Sequence, residues 1–152
     1  TGQVDHALLD SMLADPYFPA TPPKSTGREY FNPDWLSRYA AQSGARVNDI
    51  QATLCELTAQ TIATAIQTHA GSAGRLIVCG GGVHNDHLMG RLAANLPGLA
   101  IESTAAYGVM PDWVEAAAFA WLAKQHIEGQ PGNIPAVTGA SRAVSLGQLF
   151  RA

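Results

Sequence analysis

The chain has 152 residues, 47% of them hydrophobic and 14% charged, with nine lysines and arginines against twelve aspartates and glutamates for a formal net charge of −3. That composition supports one packed domain of ordinary size and excludes disordered and fibrous classes. No basic block is present to neutralise a nucleic-acid backbone, and the alanine-rich run at 114–123 is too short to span a bilayer, so neither nucleic acid nor membrane is an expected partner.

Apolar residues at Val4, Leu8, Leu9, Met12 and Leu13 predict a short amphipathic helix over 4–13, ended before Pro16. Over 15–31, Pro16, Pro19, Pro22 and Pro23 exclude a continuous helix. Tyr17, Phe18, Tyr30 and Phe31 are expected to anchor an ordered surface loop there, which carries Lys24, Ser25, Thr26, Gly27, Arg28 and Glu29. Asn32-Pro33-Asp34 reads as a helix start: a cap, a proline suited to the first position, and an acid at the positive end. That helix stops near Gly44. A longer one begins near Asn48 or Asp49, shows one stripe through Ile50, Leu54, Leu57, Thr61 and Ala65, ends at the glycines of 71–74, and is expected to cover the sheet.

Residues 75–79 predict a buried strand with Ile77 inside, followed at once by Gly80-Gly81-Gly82. Asn85 to Met89 open a helix that ends at Pro97-Gly98. A second strand is expected over 99–102, a loop over 104–110, and a helix from Pro111-Asp112 to about Glu128. From 131 onward the chain starts as a loop. The order predicts an α/β layer arrangement, a small sheet covered by long helices. Two strands are few for a complete sheet, which points to part of a larger unit. The opening Thr1-Gly2-Gln3 agrees, having no methionine and no signal-peptide pattern.

The sharpest chemical feature is the strand, then Gly80-Gly81-Gly82, then a helix beginning near Asn85. Glycines bare the backbone, and the helix start offers unpaired N–H groups and a positive end, so a phosphate or nucleotide can lie there. The spacing is neither a Rossmann fingerprint nor a Walker loop, and a tight turn without ligand is the plainer reading. Asn85 reads as a cap or a ligand contact, and His87 as a surface or packing residue. Asp112 and Glu115 lie three apart near a helix start, where Glu115 can bind a sugar hydroxyl, act as a base, or serve helix electrostatics alone. Trp113, Phe119 and Trp121 are expected in the core, and Ala116, Ala117, Ala118 and Ala120 against another helix. Thr138-Gly139-Ala140-Ser141 reads first as a cap. The histidines and the cysteines Cys55 and Cys79 form no familiar metal or disulfide pattern, and a reducing compartment is the simpler reading.

Several stretches together resemble the anhydro-N-acetylmuramic acid kinase family, in collinear order over essentially the whole chain. They are Pro22-Pro23-Lys24-Ser25-Thr26-Gly27-Arg28-Glu29 with Phe31-Asn32, then Gly80-Gly81-Gly82 with Asn85, Leu88, Met89, Arg91 and Leu92, then DWVEAAAFAWLA at 112–123, and Pro131-Gly132-Asn133 with Thr138-Gly139-Ala140-Ser141. The resemblance implies the superfamily of sugar kinases, heat-shock ATPases and actin. It implies a ribonuclease H-like (actin-like ATPase) domain, incomplete, with a small mixed sheet covered by long helices. Residues 1–152 are then a single domain resembling the C-terminal half of a two-domain sugar kinase, without the N-terminal domain. The implied reaction takes ATP, with Mg2+, and 1,6-anhydro-N-acetylmuramic acid to N-acetylmuramic acid 6-phosphate and ADP, in the bacterial cytoplasm, and the implied partners include the missing domain and a homodimer. Carried onto this chain, Gly80, Gly81, Gly82 and Asn85 are similar to the family's nucleotide-contacting loop, and Glu115 to its sugar-side glutamate. The family's general-base aspartate, in an aspartate-threonine-glycine-proline-glycine-asparagine stretch, has no counterpart in these residues, so no catalytic residue and no metal ligand is assigned. A nucleotide-binding or structural domain without activity of its own is the alternative expectation.

Overall fold

A computed structural model describes residues 2–150. Helix α1, His6–Leu13, is capped by Asp5, whose carboxylate accepts the Leu8 N–H at 3.0 Å. Eight residues are too few for a stable isolated helix. Its stability comes from docking Leu8, Leu9 and Met12 against Trp35 and Leu57, each such side chain contributing about 1.5–3 kcal/mol on full burial. Helix α2, Pro33–Ser43, starts as the sequence predicts: Asn32 Oδ1 accepts the Trp35 N–H at 2.8 Å and Pro33 opens the first turn. Helix α3, Val47–His69, begins one or two residues before its predicted start, because Arg46 at its cap makes no side-chain bond that would mark the boundary.

Strand β1, Arg75–Val78, leads through Gly80 into a 3-10 turn, Gly81–His84, and helix α4, Asp86–Asn95. Strand β2, Ala100–Ser103, pairs parallel with β1, Ile77 standing opposite Glu102. Two further 3-10 turns follow, Thr104–Tyr107 and Pro111–Trp113, the first inside the predicted loop. Helix α5, Val114–Ile127, and the four-residue helix α6, Pro135–Thr138, complete the chain. Gly139 closes α6 at φ 72°, the cap expected of that stretch.

Several expectations need correction. The sheet is a parallel pair among the described residues, not a mixed sheet. Its covering helix is α4; the long α3 packs chiefly on α4 and α1, so its stripe serves a helical core rather than the sheet. Ile77 is 44% exposed, because side chains alternate along a strand and the half-buried face carries Leu76 and Val78. Trp113 and Phe119 are 67% and 64% exposed, Trp121 is exposed too, and Ala116, Ala117, Ala118 and Ala120 are exposed rather than packed against another helix.

Two buried carboxylates organise the helical part. Asp15 is 3% exposed and accepts four bonds: Tyr30 OH at 2.7 Å, Tyr17 N–H at 2.9 Å, Trp35 Nε1–H at 2.9 Å and Tyr39 OH at 3.0 Å. Burial pushes its carboxyl up, but the bonds from Trp35, Tyr30, Tyr17 and Tyr39 outweigh it and hold the group at about 2. Phe31 stacks on Phe18 and meets Trp35 edge-on, and Lys24 donates to the carbonyls of Tyr17 and Phe18, so Lys24 braces this aromatic cluster.

Glu56, buried on α3, pairs with Arg91 of α4 and accepts from Asn95 and Gln60 at 3.1 Å each. The Arg91 guanidinium, then burial working against it, then the two amides set its carboxyl at about 2. Both groups sit below their ordinary values of 3.8 and 4.5, so their contribution is fully present above about pH 4.5 and is lost as pH falls through about 2. Urea midpoints measured between pH 5 and pH 2 should fall steeply, by an amount corresponding to about 2 kcal/mol per carboxylate. An Asp15→Asn, Glu56→Gln protein should lose most of that slope, and an unchanged slope refutes the assignment.

Candidate functional site

Gly80 stands at φ 74° and ψ −178°, a conformation open essentially to glycine alone. Strand β1 ends there because the backbone must swing into the following turn. The Gly80 N–H donates to Pro111 O at 3.0 Å. The next two amides, of Gly81 and Gly82, have no backbone acceptor among the described residues. A Cβ built at Gly80 or Gly81 would meet nothing within 4 Å, and one at Gly82 only Leu88 at 3.6 Å. The loop therefore presents two free donors on a bare, open backbone, which suits a phosphate or another anionic group of a nucleotide.

Asn85 caps α4: its Oδ1 accepts the Leu88 N–H at 3.1 Å. Its side chain also lines a groove of about 540 Å3 between α3 and the first turn of α4, with His87 and Leu88 facing Gln51 and Cys55. Capping and a place in the groove thus go together. Burial pushes the Cys55 thiol up from its ordinary value.

Glu115 sits exposed in the first turn of α5, with no ion pair or hydrogen bond among the described residues. Asp112 does not share its role. Its carboxylate faces His84 Nε2, 3.0 Å from each oxygen, and so joins the start of α5 to the glycine loop. Sequence spacing had set Asp112 beside Glu115 and left His84 unassigned; nothing local signals a bond across 28 residues. Three or more carboxylate, histidine or cysteine side chains nowhere converge among the described residues. No helix described is long and apolar enough to cross a membrane.

A family model described as anhydro-N-acetylmuramic acid kinase matches residues 1–152. Among curated relatives carrying that name, one from Cupriavidus pinatubonensis is 52% identical over 153 residues, covering 99% of this chain and 41% of the relative. One from Xanthomonas campestris is 49% identical over 152 residues, covering all of this chain and 40% of the relative. One from Xylella fastidiosa is 47% identical with the same coverage. The chain thus spans about 40% of the length of these curated relatives.

Proposed function

Because the chain belongs to the anhydro-N-acetylmuramic acid kinase family, we propose that it forms the nucleotide-contacting, C-terminal part of an ATP-dependent sugar kinase. The whole protein adds water across the anhydro bond of 1,6-anhydro-N-acetylmuramic acid and transfers the γ-phosphoryl of ATP to the 6-oxygen. The products are N-acetylmuramic acid 6-phosphate and ADP. The observation that carries this reading is the Gly80–Gly82 loop, whose open backbone and two free amides fit an anionic group.

In this reading the Gly81 and Gly82 amides hold the nucleotide, Asn85 fixes the start of α4 beside it, and Glu115 accepts a sugar hydroxyl. Bound ATP supplies the phosphoryl group; Mg2+ accompanies it, and no step here is routed through the ion. The general base that takes the proton from water belongs to the family length outside this chain. Phosphoryl transfer needs positioning, charge neutralisation and a base together, and the residues here supply the first. The same reading takes the fold as an incomplete ribonuclease H-like domain of the sugar kinase, heat-shock ATPase and actin superfamily, working in the cytoplasm.

The test is a protein of full family length carrying this chain, incubated with ATP, Mg2+ and the anhydro-sugar. Sugar 6-phosphate and ADP should appear in equal amounts, and the chain alone should give neither. ADP without sugar phosphate, or no product, overturns the reading. In the same protein, Glu115→Gln should leave the thermal midpoint nearly unchanged, since a helix-end charge contributes only about 0.3–1 kcal/mol. Turnover should fall by about tenfold or more, the scale of losing a hydrogen bond to a charged group. Unchanged turnover removes Glu115 from the sugar side.

A further inference from the structure

We propose that His84 and Asp112 form a positioning clasp that fixes the Gly80–Gly82 loop relative to the start of α5, and so relative to Glu115. The structural part of this proposal stands on geometry; its catalytic consequence rests on the kinase reading above. His84 ends the 3-10 turn of the glycine loop and Asp112 lies in the 3-10 turn that opens α5. The two turns pack together. A carboxylate only accepts, so the 3.0 Å contacts to both Asp112 oxygens require the proton on His84 Nε2. Beside it, the Gly80 N–H donates to Pro111 O at 3.0 Å. Two adjacent links thus bind the nucleotide side of the candidate site to the sugar side.

The other ion pairs differ in what they join. Arg46–Asp49 and Lys124–Glu128 lie three and four residues apart and brace their own turns. Arg91–Glu56 holds α4 on α3, and Arg75–Glu102 crosses the sheet with Tyr107. Among the described residues, His84–Asp112 is the side-chain pair that ties the glycine loop to another element. Both side chains are more than half exposed, at 59% and 58%, so the pair adds little to global stability. Its effect is to restrict where the loop sits, and a reacting geometry is sensitive to shifts of about 1 Å.

The experiment uses the family-length protein with His84→Ala, Asp112→Ala and His84→Gln, the last keeping an N–H near the Nε2 position. Hydrogen exchange is read by mass spectrometry on the peptide covering the glycine loop, beside thermal midpoints and steady-state kinetics. Both alanine variants should exchange about two- to fivefold faster in that peptide alone, with KM for ATP raised by a similar factor and the midpoint nearly unchanged. His84→Gln should restore both readouts. Wild-type exchange in the alanine variants overturns the clasp. So does acceleration spread over all peptides with a lowered midpoint, which marks a merely structural role. Local acceleration in a protein that never phosphorylates the sugar sinks the kinase reading and leaves the clasp standing.

Discussion

Replacing Asp15 with alanine should lower the unfolding free energy by about 3 kcal/mol, the largest effect expected of any single polar substitution in the helical part. The four donors that meet at this carboxylate come from Tyr17, Tyr30, Trp35 and Tyr39, and no other acceptor takes their place. Trp35 is 3% exposed, so its indole N–H is left buried and unsatisfied, a cost of about 1–3 kcal/mol by itself. Tyr30 is more exposed and reaches water, which limits its share. Asp15→Asn keeps the volume but turns an amide donor toward donors, so it should recover little. Urea unfolding followed by tryptophan fluorescence measures both variants. A loss below about 1 kcal/mol for alanine refutes the hub, since that is the scale of one ordinary hydrogen bond.

Gly80→Ala should cost a protein of family length about ten- to a hundredfold in kcat/KM for ATP, the scale of misplacing a site by about 1 Å. The reason is backbone strain rather than crowding. Nothing lies within 4 Å of the added Cβ, yet φ 74° with ψ −178° is a region alanine occupies only at a cost of about 1–3 kcal/mol. Relaxing out of it breaks the Gly80–Pro111 bond and turns the free amides of Gly81 and Gly82 away. Isothermal titration with a non-hydrolysable ATP analogue separates lost binding from lost turnover. Unchanged affinity and unchanged kcat/KM would remove the loop from the nucleotide site.

What could be read in advance was local chemistry. Asn32-Pro33-Asp34 announces α2 because capping, proline geometry and the helix dipole act within four residues. The turn after β1 is announced by its glycines, and the cap at Gly139 by the same means. What could not be read depends on what lies across space. Ile77, Trp113 and Phe119 are apolar, but apolarity does not say which faces this chain covers, and here α4 covers one side of the sheet, while α5 meets the 145–149 segment and leaves Trp113 and Phe119 exposed. Asp15, Glu56 and the His84–Asp112 pair find most of their side-chain partners 15 to 39 residues away, a separation no periodicity encodes. Of the candidate site, the loop, Asn85 and Glu115 were legible as residue types; the link between the loop and α5 was not.

Helix α1 has one more consequence, in the order of synthesis. Its segment is pinned to α3 by Gln3 N–H to Asp49 at 2.8 Å and Asp5 N–H to Thr53 at 2.9 Å, across 46 and 48 residues. It also carries Leu8, Leu9 and Met12, most of the buried cluster around Trp35 and Leu57. A ribosome delivers α1 before α3, and its apolar face waits for α3 to emerge. At about 5–20 residues per second the interval is roughly 2–9 s. Closing so long a loop also carries an entropic cost that short-range pairs escape. The α3–α4 pair and the strand–helix–strand unit close over shorter separations and so have the shorter route to order. Made before the helix it packs on, α1 waits for its partner.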